Sequence, residues 1–394
     1  MATVAAKQNL SLRIPHPVNL LLGIHFILLI AFDYLDQEIR LPLAGALVVG
    51  YFWVSLHAVF VRRDFLATLL IGLSGAIVLA WLVGFLFIPD APTRHHVSFS
   101  TGLRYMSPFL AGIAIISART RISLTMLGAF GCAIIASAVT SAILNDYQFL
   151  GGTARWHPFS SGLHTSAYAI ALVAILALEL QKRGALRQYA AIVTMATCLV
   201  ILFGYGVRTA IIFVSVYFLV DWAASLARRR LVGAVSAGLI VPAALMVLTA
   251  FLALIVFSYD FETLSTTSSG RLSNYIERFE ILANRGFGDL LVGHGPGSDL
   301  RATLTWRWGE KGSHSDFLRI LSEGGLISLL AVLTYLLLLL RVSPSVMFAP
   351  ILALAASSLL SNALLARPNV AFLFFCIIAL KMQREISGKS KQFL

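Results

Sequence analysis

The residues best suited to chemistry fall in one short stretch, His314-Ser315-Asp316-Phe317-Leu318-Arg319, followed closely by Ser322-Glu323-Gly324-Gly325. An imidazole titrates near ~6.5, so at neutral pH its free base can take a proton from a sugar hydroxyl, which a carboxylate does less readily. Ser315 and Asp316 are residue types that cap a helix start. Arg319 then lies about one turn onward, and Glu323 further down the same helix. A lone histidine at such a place also fits a hydrogen-bonded structural role, and both readings stand.

This stretch ends the only long polar segment of the chain, residues 258 to 313. Within it, Leu272, Ile276, Phe279 and Leu282 recur at helical spacing, which predicts an amphipathic helix lying along a membrane surface. The run Gly293-His294-Gly295-Pro296-Gly297-Ser298 predicts a tight turn. Its glycines would let backbone N–H groups approach phosphate oxygens, as in an anion-binding nest. The turn fits no phosphate-loop pattern, so taken alone it is weak.

Everything else is apolar. The chain has 394 residues, of which 58% are hydrophobic and 12% charged, and its mean hydropathy is +0.85. A soluble domain carries about a quarter charged residues, so this is an all-α, polytopic membrane protein. The cysteines Cys132, Cys198 and Cys376 stand singly in apolar runs, read as packing residues rather than a disulfide or zinc framework. Segments near the ~20 residues that span ~30 Å of hydrocarbon number about twelve. They lie near 17–36, 41–61, 65–88, 102–118, 122–143, 160–181, 188–206, 209–226, 232–257, 318–340, 344–363 and 367–383. The organisation expected is a bundle of about nine spans over 1–257, a polar loop over 258–317, and the last spans with a tail over 318–394. No cleavable signal peptide is expected, because the first apolar run follows a polar stretch and lacks a small-residue cleavage site.

Basic residues orient the spans. With both termini cytoplasmic, 17 of the 30 Lys and Arg residues fall in short inner tethers, among them Lys182, Arg228, Arg341, Lys381 and Arg384. The other 13 lie on the opposite, trans side: Arg40, Arg94, Arg104, Arg155, Arg208, Arg271, Arg278, Arg285, Arg301, Arg307, Lys311, Arg319 and Arg367. All but one are arginine. A planar guanidinium offers phosphate a bidentate fork and stays charged when partly dehydrated, whereas an ammonium is a strongly hydrated point charge. The trans face therefore suits an anion such as a diphosphate. Pairing with nearby carboxylates or lipid headgroups explains any single one of these arginines equally well. Arg208, which opens the run Thr209-Ala210-Ile211-Ile212-Phe213, stands at the hydrocarbon boundary, where an ionisable residue is either functional or a snorkelling anchor.

The turn Gly293–Ser298, His314-Ser315 and Glu323-Gly324-Gly325-Leu326-Ile327 together resemble the C-terminal signature of the O-antigen ligase and polymerase superfamily. The resemblance spans roughly residues 155 to 330 as a pattern, and hydropathy agrees over the whole chain. Ligases carry a His, then Asn, Ser or Gln, nine residues, Gly, two residues, and Gly, Thr or Tyr. His314, Ser315 and Gly325 fit, whereas Ser328 departs at the last position. Arg208, in Gly206-Val207-Arg208-Thr209-Ala210, is similar to the arginine that precedes a span in these enzymes and contacts the diphosphate. Arg155-Trp156-His157-Pro158-Phe159 resembles an earlier periplasmic segment more loosely.

The resemblance implies a GT-C-like glycosyltransferase of the bacterial inner membrane, with its catalytic loop in the periplasm. It would move a glycan from undecaprenyl diphosphate to an acceptor hydroxyl with inversion and without metal or other cofactor. His314 would be the general base and Arg208 the principal diphosphate contact. Arg271, Arg278, Arg285, Arg155, Arg319 and His294 would line the substrate. A ligase passes the glycan to lipid A-core; a polymerase passes it to a second lipid-linked glycan. The spacing around His314 favours the ligase. Membrane lipids are the remaining partners, and nothing calls for a nucleic acid. A secondary transporter would show an internal repeat or broken helices with mid-span ionisable residues. No repeat is visible, and mid-span charges look few.

Overall fold

In a bilayer every backbone polar group must be satisfied within its own segment, so an apolar chain of this kind resolves into helices. The computed structural model describes residues 16–87, 98–119, 122–145, 148–150, 153–182, 190–228, 271–301 and 312–390. The predicted span over 232–257, and the loop positions 258–270 and 302–311, lie outside the described residues.

The helices are α1 (Pro17–Ile30), α2 (Gln37–Phe60), α3 (Phe65–Phe87), α4 (Phe99–Ser117), α5 (Leu124–Leu144), α6 (Leu163–Gln181), α7 (Ala190–Leu199) and α8 (Arg208–Arg228). After them come α9 (Arg271–Ala283), α10 (Phe287–Val292), α11 (Asp316–Val342), α12 (Pro344–Leu360) and α13 (Pro368–Ser390). A short hairpin, β1 (Gln148–Leu150) with β2 (Thr153–Arg155), precedes α6 and pairs antiparallel with Gln148 opposite Arg155. Among the described residues six helices are long and apolar enough to cross a membrane: α2, α3, α5, α6, α8 and α11. The chain is therefore a multi-pass helical membrane protein. Eleven of the twelve predicted segments coincide with a described helix. Several are shorter than a span needs, however, among them α1 with 14 residues and α12 with 17.

Local chemistry starts these helices where expected. Ser98, Ser123 and Ser315 are N-caps whose hydroxyls accept from the N–H groups of Thr101, Met126 and Leu318. Each satisfies a donor the helix cannot. α7 continues as a π-helical turn, Val200–Tyr205, which ends on the left-handed Gly206 just before α8 begins.

The core is built around α6 and α13. In α6, 89% of the most apolar window is buried, against 22% in α2, so α6 is enclosed by protein while α2 faces outward. α13 packs on both α4 and α6, α12 runs along α8, and α11 runs along α3. At Glu179, Asp221 and Lys381, α6, α8 and α13 are stapled by charge. Lys381 donates to Asp221 at 2.7 Å and to Tyr217 at 3.0 Å, and Tyr217 donates to Glu179 at 2.8 Å. Lys182 and Arg384 complete the Glu179 shell. Lys381, 1% exposed, is buried rather than in a solvated tether, and the buried charges survive because each has a partner at hydrogen-bond distance. Cys376 is buried as expected, but Cys132 sits on the outer face of α5 and is exposed.

Candidate active site

His314 is presented on a strained bend. Its φ is +57°, in the left-handed region, which costs a non-glycine residue on the order of 1–3 kcal/mol unless its surroundings impose it. The surroundings do so from both sides. The Tyr275 hydroxyl donates to the His314 carbonyl at 2.9 Å, and the Asn274 amide donates to the Ser313 carbonyl at 3.0 Å. The Ser313 N–H donates to Asp299 Oδ2 at 2.7 Å. Beyond the bend, the Ser315 hydroxyl donates to the Ser358 carbonyl at 3.1 Å, while Asp316 Oδ2 accepts from the Ser358 hydroxyl at 2.9 Å and the Ala363 N–H at 3.1 Å. The imidazole thus stands half-buried at the start of α11, its backbone fixed by α9 on one side and the end of α12 on the other.

α9 supplies Asn274 and Tyr275. Asn274, Arg278 and Leu282 form the buried face, while Ile276 is 42% and Phe279 56% exposed. The two exposed apolar side chains suit the predicted helix along a membrane surface, whereas Leu282 of the same apolar set packs against the protein.

The Gly293–Ser298 turn has a different role from the predicted phosphate nest. The Gly295 N–H donates to the Glu323 carbonyl at 2.8 Å, and the Gly297 N–H donates to Glu323 Oε1 at 3.0 Å. The group held by the turn is therefore a carboxyl side chain of α11 itself. The fit requires α11 to break: Gly325 has φ +63° and ψ −166° within the helix, and a Cβ there would meet the Leu291 carbonyl oxygen at 2.3 Å. Gly293, at φ +70°, would meet the Glu323 carbonyl carbon at 2.5 Å in the same way. His294, 6% exposed, bonds Asp289 through Nε2 at 3.3 Å. Burial and the neighbouring Arg285 hold its pKa below the usual imidazole value, so it is neutral at pH 7.

The loop arginines divide by what they touch. Arg278 reaches the Asp299 carbonyl at 2.7 Å and its Oδ1 at 3.4 Å. Arg285 donates to the Ser322 carbonyl at 3.0 Å and hydroxyl at 3.1 Å. Burial lowers the pKa of both, Arg285 to about 10, so both remain charged at neutral pH. The space between them, Arg301 and Asp299 is about 10 Å³, at most one water. In this geometry Arg278 and Arg285 bond to Asp299 and Ser322 beside the bend. Arg271 is the first residue of α9. Asp299 joins the two halves of the loop, and burial pushes its carboxyl above the usual carboxylate range while Arg278 pulls it back.

Arg319 differs in its neighbour. It is 6% exposed and its guanidinium lies over the Tyr105 ring at 4.0 Å; its Nε, like those of Arg278 and Arg285, has no hydrogen-bond partner among the described residues. Tyr105, Glu323, Asp316 and Asp299 act on it only through space. A desolvated arginine held flat by an aromatic ring, with donors left over, is ready for an oxyanion.

Arg208 is exposed as the first residue of α8. The Arg155 side chain lies against the turn before it, with Nε 3.5 Å from where a Gly206 Cβ would stand, and the Trp156 N–H donates to the Gly204 carbonyl at 2.8 Å. The hairpin thus brings Arg155 to the start of α8. Tyr168 of α6 connects this corner to His314: its hydroxyl is among Thr209, Ser357, Arg367 and Asp316, and Ser358 is the residue that holds Ser315 and Asp316. Arg367 bonds the Asn362 carbonyl at 3.0 Å and the Thr165 hydroxyl at 3.4 Å, and burial lowers its pKa to about 10.

Sequence reasoning missed Asp299, Tyr105, Tyr275 and Asn274, and it placed Arg367 only among the trans arginines. No local spacing marks them, since each acts across a long sequence separation. Among the described residues no three His, Cys, Asp or Glu side chains converge to hold a metal. No protein-family model, curated protein or solved structure matches the chain.

Proposed function

We propose that the protein is a GT-C-like glycosyltransferase of about twelve spans in a bacterial inner membrane, with both termini cytoplasmic and His314 on the periplasmic side. It transfers a glycan from undecaprenyl diphosphate to an acceptor hydroxyl. The observation that carries this reading is the bend at His314: a half-buried histidine on a left-handed backbone held by outside bonds, five residues before an arginine with an unpartnered Nε. Strain over-determined by surrounding bonds clusters at sites of chemistry.

The chemistry follows from these groups. The free-base imidazole of His314 takes the acceptor hydroxyl proton as its oxygen bonds to the anomeric carbon. The bond from that carbon to the diphosphate oxygen breaks on the opposite face, giving inversion and undecaprenyl diphosphate as leaving group. Arg319, with Arg208 and Arg155 at the neighbouring helix start, stabilises the growing diphosphate charge, and fixed cations in a water-poor site act strongly there. Arg278, Arg285 and Asp299 are positioning residues for the bend. His294 fixes the turn.

The acceptor favoured is lipid A-core, making the protein an O-antigen ligase, because His314, Ser315 and Gly325 keep the ligase spacing. The polymerase alternative rests on Ser328, which departs from it. Purified protein given donor and lipid A-core without metal is expected to give one product carrying one donor glycan. A ladder of longer undecaprenyl-linked chains from donor alone, without transfer to lipid A-core, replaces the ligase with a polymerase. Export of an intact lipid-linked glycan without transfer would replace both with a transporter.

A further inference from the structure

Most fully buried tyrosine hydroxyls of the core have a partner. Tyr51 bonds His25 at 3.1 Å, Tyr217 donates to Glu179 at 2.8 Å, and Tyr335 donates to the Phe109 carbonyl at 3.2 Å. The hydroxyls of Tyr168 and Tyr205 have none among the described residues. Tyr205 meets the Trp156 ring edge to face, whereas polar groups gather around Tyr168. The Thr209 and Ser357 hydroxyls stand beside its own, and Arg367 and Asp316 act on it through space, yet none is placed to bond it. Two of these neighbours lack a bond as well. Thr209 Oγ1 has no partner among the described residues, and Asp316 commits Oδ2 to Ser358 and Ala363 while Oδ1 is left over.

Three polar atoms from three helices thus converge without bonding one another. Tyr168 lies in the second turn of α6, Thr209 is the second residue of α8, and Asp316 is the first of α11. A hydroxyl or carboxylate oxygen left bare inside a protein is costly. Tyr168 and Asp316 are 0% exposed and Thr209 4%, so a substrate hydroxyl does not reach them as the helices stand. A water does fit such a place, since it needs only two to four polar partners and little room. The groups it would bridge flank the proposed chemistry: Thr209 follows Arg208 directly, and Asp316 stands two positions beyond His314.

We propose that Tyr168 is a positioning residue, which holds ordered water between Thr209 and Asp316 and through it fixes the start of α8, with Arg208, against the His314 bend. The consequence for transfer rests on the transferase reading; the water itself does not. Tyr168→Phe removes an oxygen that bonds no other described group, so a purely packing role for Tyr168 predicts no loss at all.

The water is read first, by X-ray radiolysis of purified protein, in which hydroxyl radicals formed from bound water label the side chains beside it. Tyr168 is expected to be labelled severalfold faster than Tyr335, which is as deeply buried but has its hydroxyl on Phe109. Thr209→Val is expected to suppress the label and Thr209→Ser, which keeps a hydroxyl, to restore it. Coupling is read next. Tyr168→Phe and Thr209→Val are each expected to lower kcat for transfer about tenfold, with KM and thermal midpoint little changed, the size of one lost hydrogen bond. The two changes together should lower it no further than either alone, because both act through the same water. Labelling of Tyr168 no faster than that of Tyr335, full transfer by Tyr168→Phe, or losses that multiply in the double variant would each overturn the proposal. Fast labelling of Tyr168 in a wild-type protein that transfers no glycan would overturn the transferase reading and the positioning role with it, and leave the water site standing.

Discussion

Asp299 accepts the Ser313 N–H at 2.7 Å, which ties the turn after α10 to the residue immediately before His314. Its other carboxylate oxygen faces Arg278, so one buried carboxylate carries both the charge balance of α9 and the geometry of the bend. Asp299→Asn keeps the shape and the Arg278 bond to the residue 299 carbonyl but removes the carboxylate charge that faces the buried guanidinium. The expected loss is about 3 kcal/mol of stability, seen as a lower thermal midpoint in detergent, with transfer falling further than stability alone explains. An unchanged midpoint would show that Arg278 does not depend on Asp299.

Gly325→Ala should be among the most damaging small substitutions. The left-handed φ and the 2.3 Å approach to Leu291 together cost about 3 kcal/mol or more. Gly288→Ala, where a Cβ meets nothing within 4 Å, should be neutral. Expression and monodispersity of the two variants check this directly.

Arg319 and Arg208 separate by the same chemistry. If their forks hold a diphosphate, Arg319→Lys and Arg208→Lys should each lower transfer nearly as far as the alanine variants while the thermal midpoint moves little, since lysine lacks the bidentate geometry. Full activity in Arg208→Lys would make that residue a headgroup anchor.

His294 gives a pH dependence. Its folded pKa lies below the ordinary 6.5 through burial and Arg285, partly offset by Asp289. As pH falls through 6.5 the unfolded chain takes up a proton that the folded chain refuses, so stability falls toward acid, by up to ~1.4 kcal/mol per pH unit. Thermal midpoints between pH 7.5 and about 5 should fall for wild type and fall less steeply for His294→Gln.

Helices were legible from the sequence because hydropathy records burial and lipid exposure locally, as in α3 and α6. α9 was legible as an amphipathic surface helix, with Ile276 and Phe279 exposed, but the contacts of Asn274 and Arg278 were not, because they depend on Ser313 and Asp299, which the fold brings to them. His314, Arg319 and Arg208 stood out through residue type and position. The Gly293–Ser298 turn was visible, but not that its N–H groups serve Glu323, which lies 26 positions from Gly297. Asp299 and Tyr105 could not be singled out, since their importance comes only from the partners the fold brings to them.

The most direct test is release of undecaprenyl diphosphate by purified protein supplied with a glycan-loaded donor and lipid A-core, compared between wild type and His314→Ala at matched thermal midpoints. Release coupled to glycan transfer in wild type and its loss by about a hundredfold or more in His314→Ala is the predicted result, the size expected for removal of a general base. Wild-type transfer by His314→Ala would remove the imidazole from the mechanism.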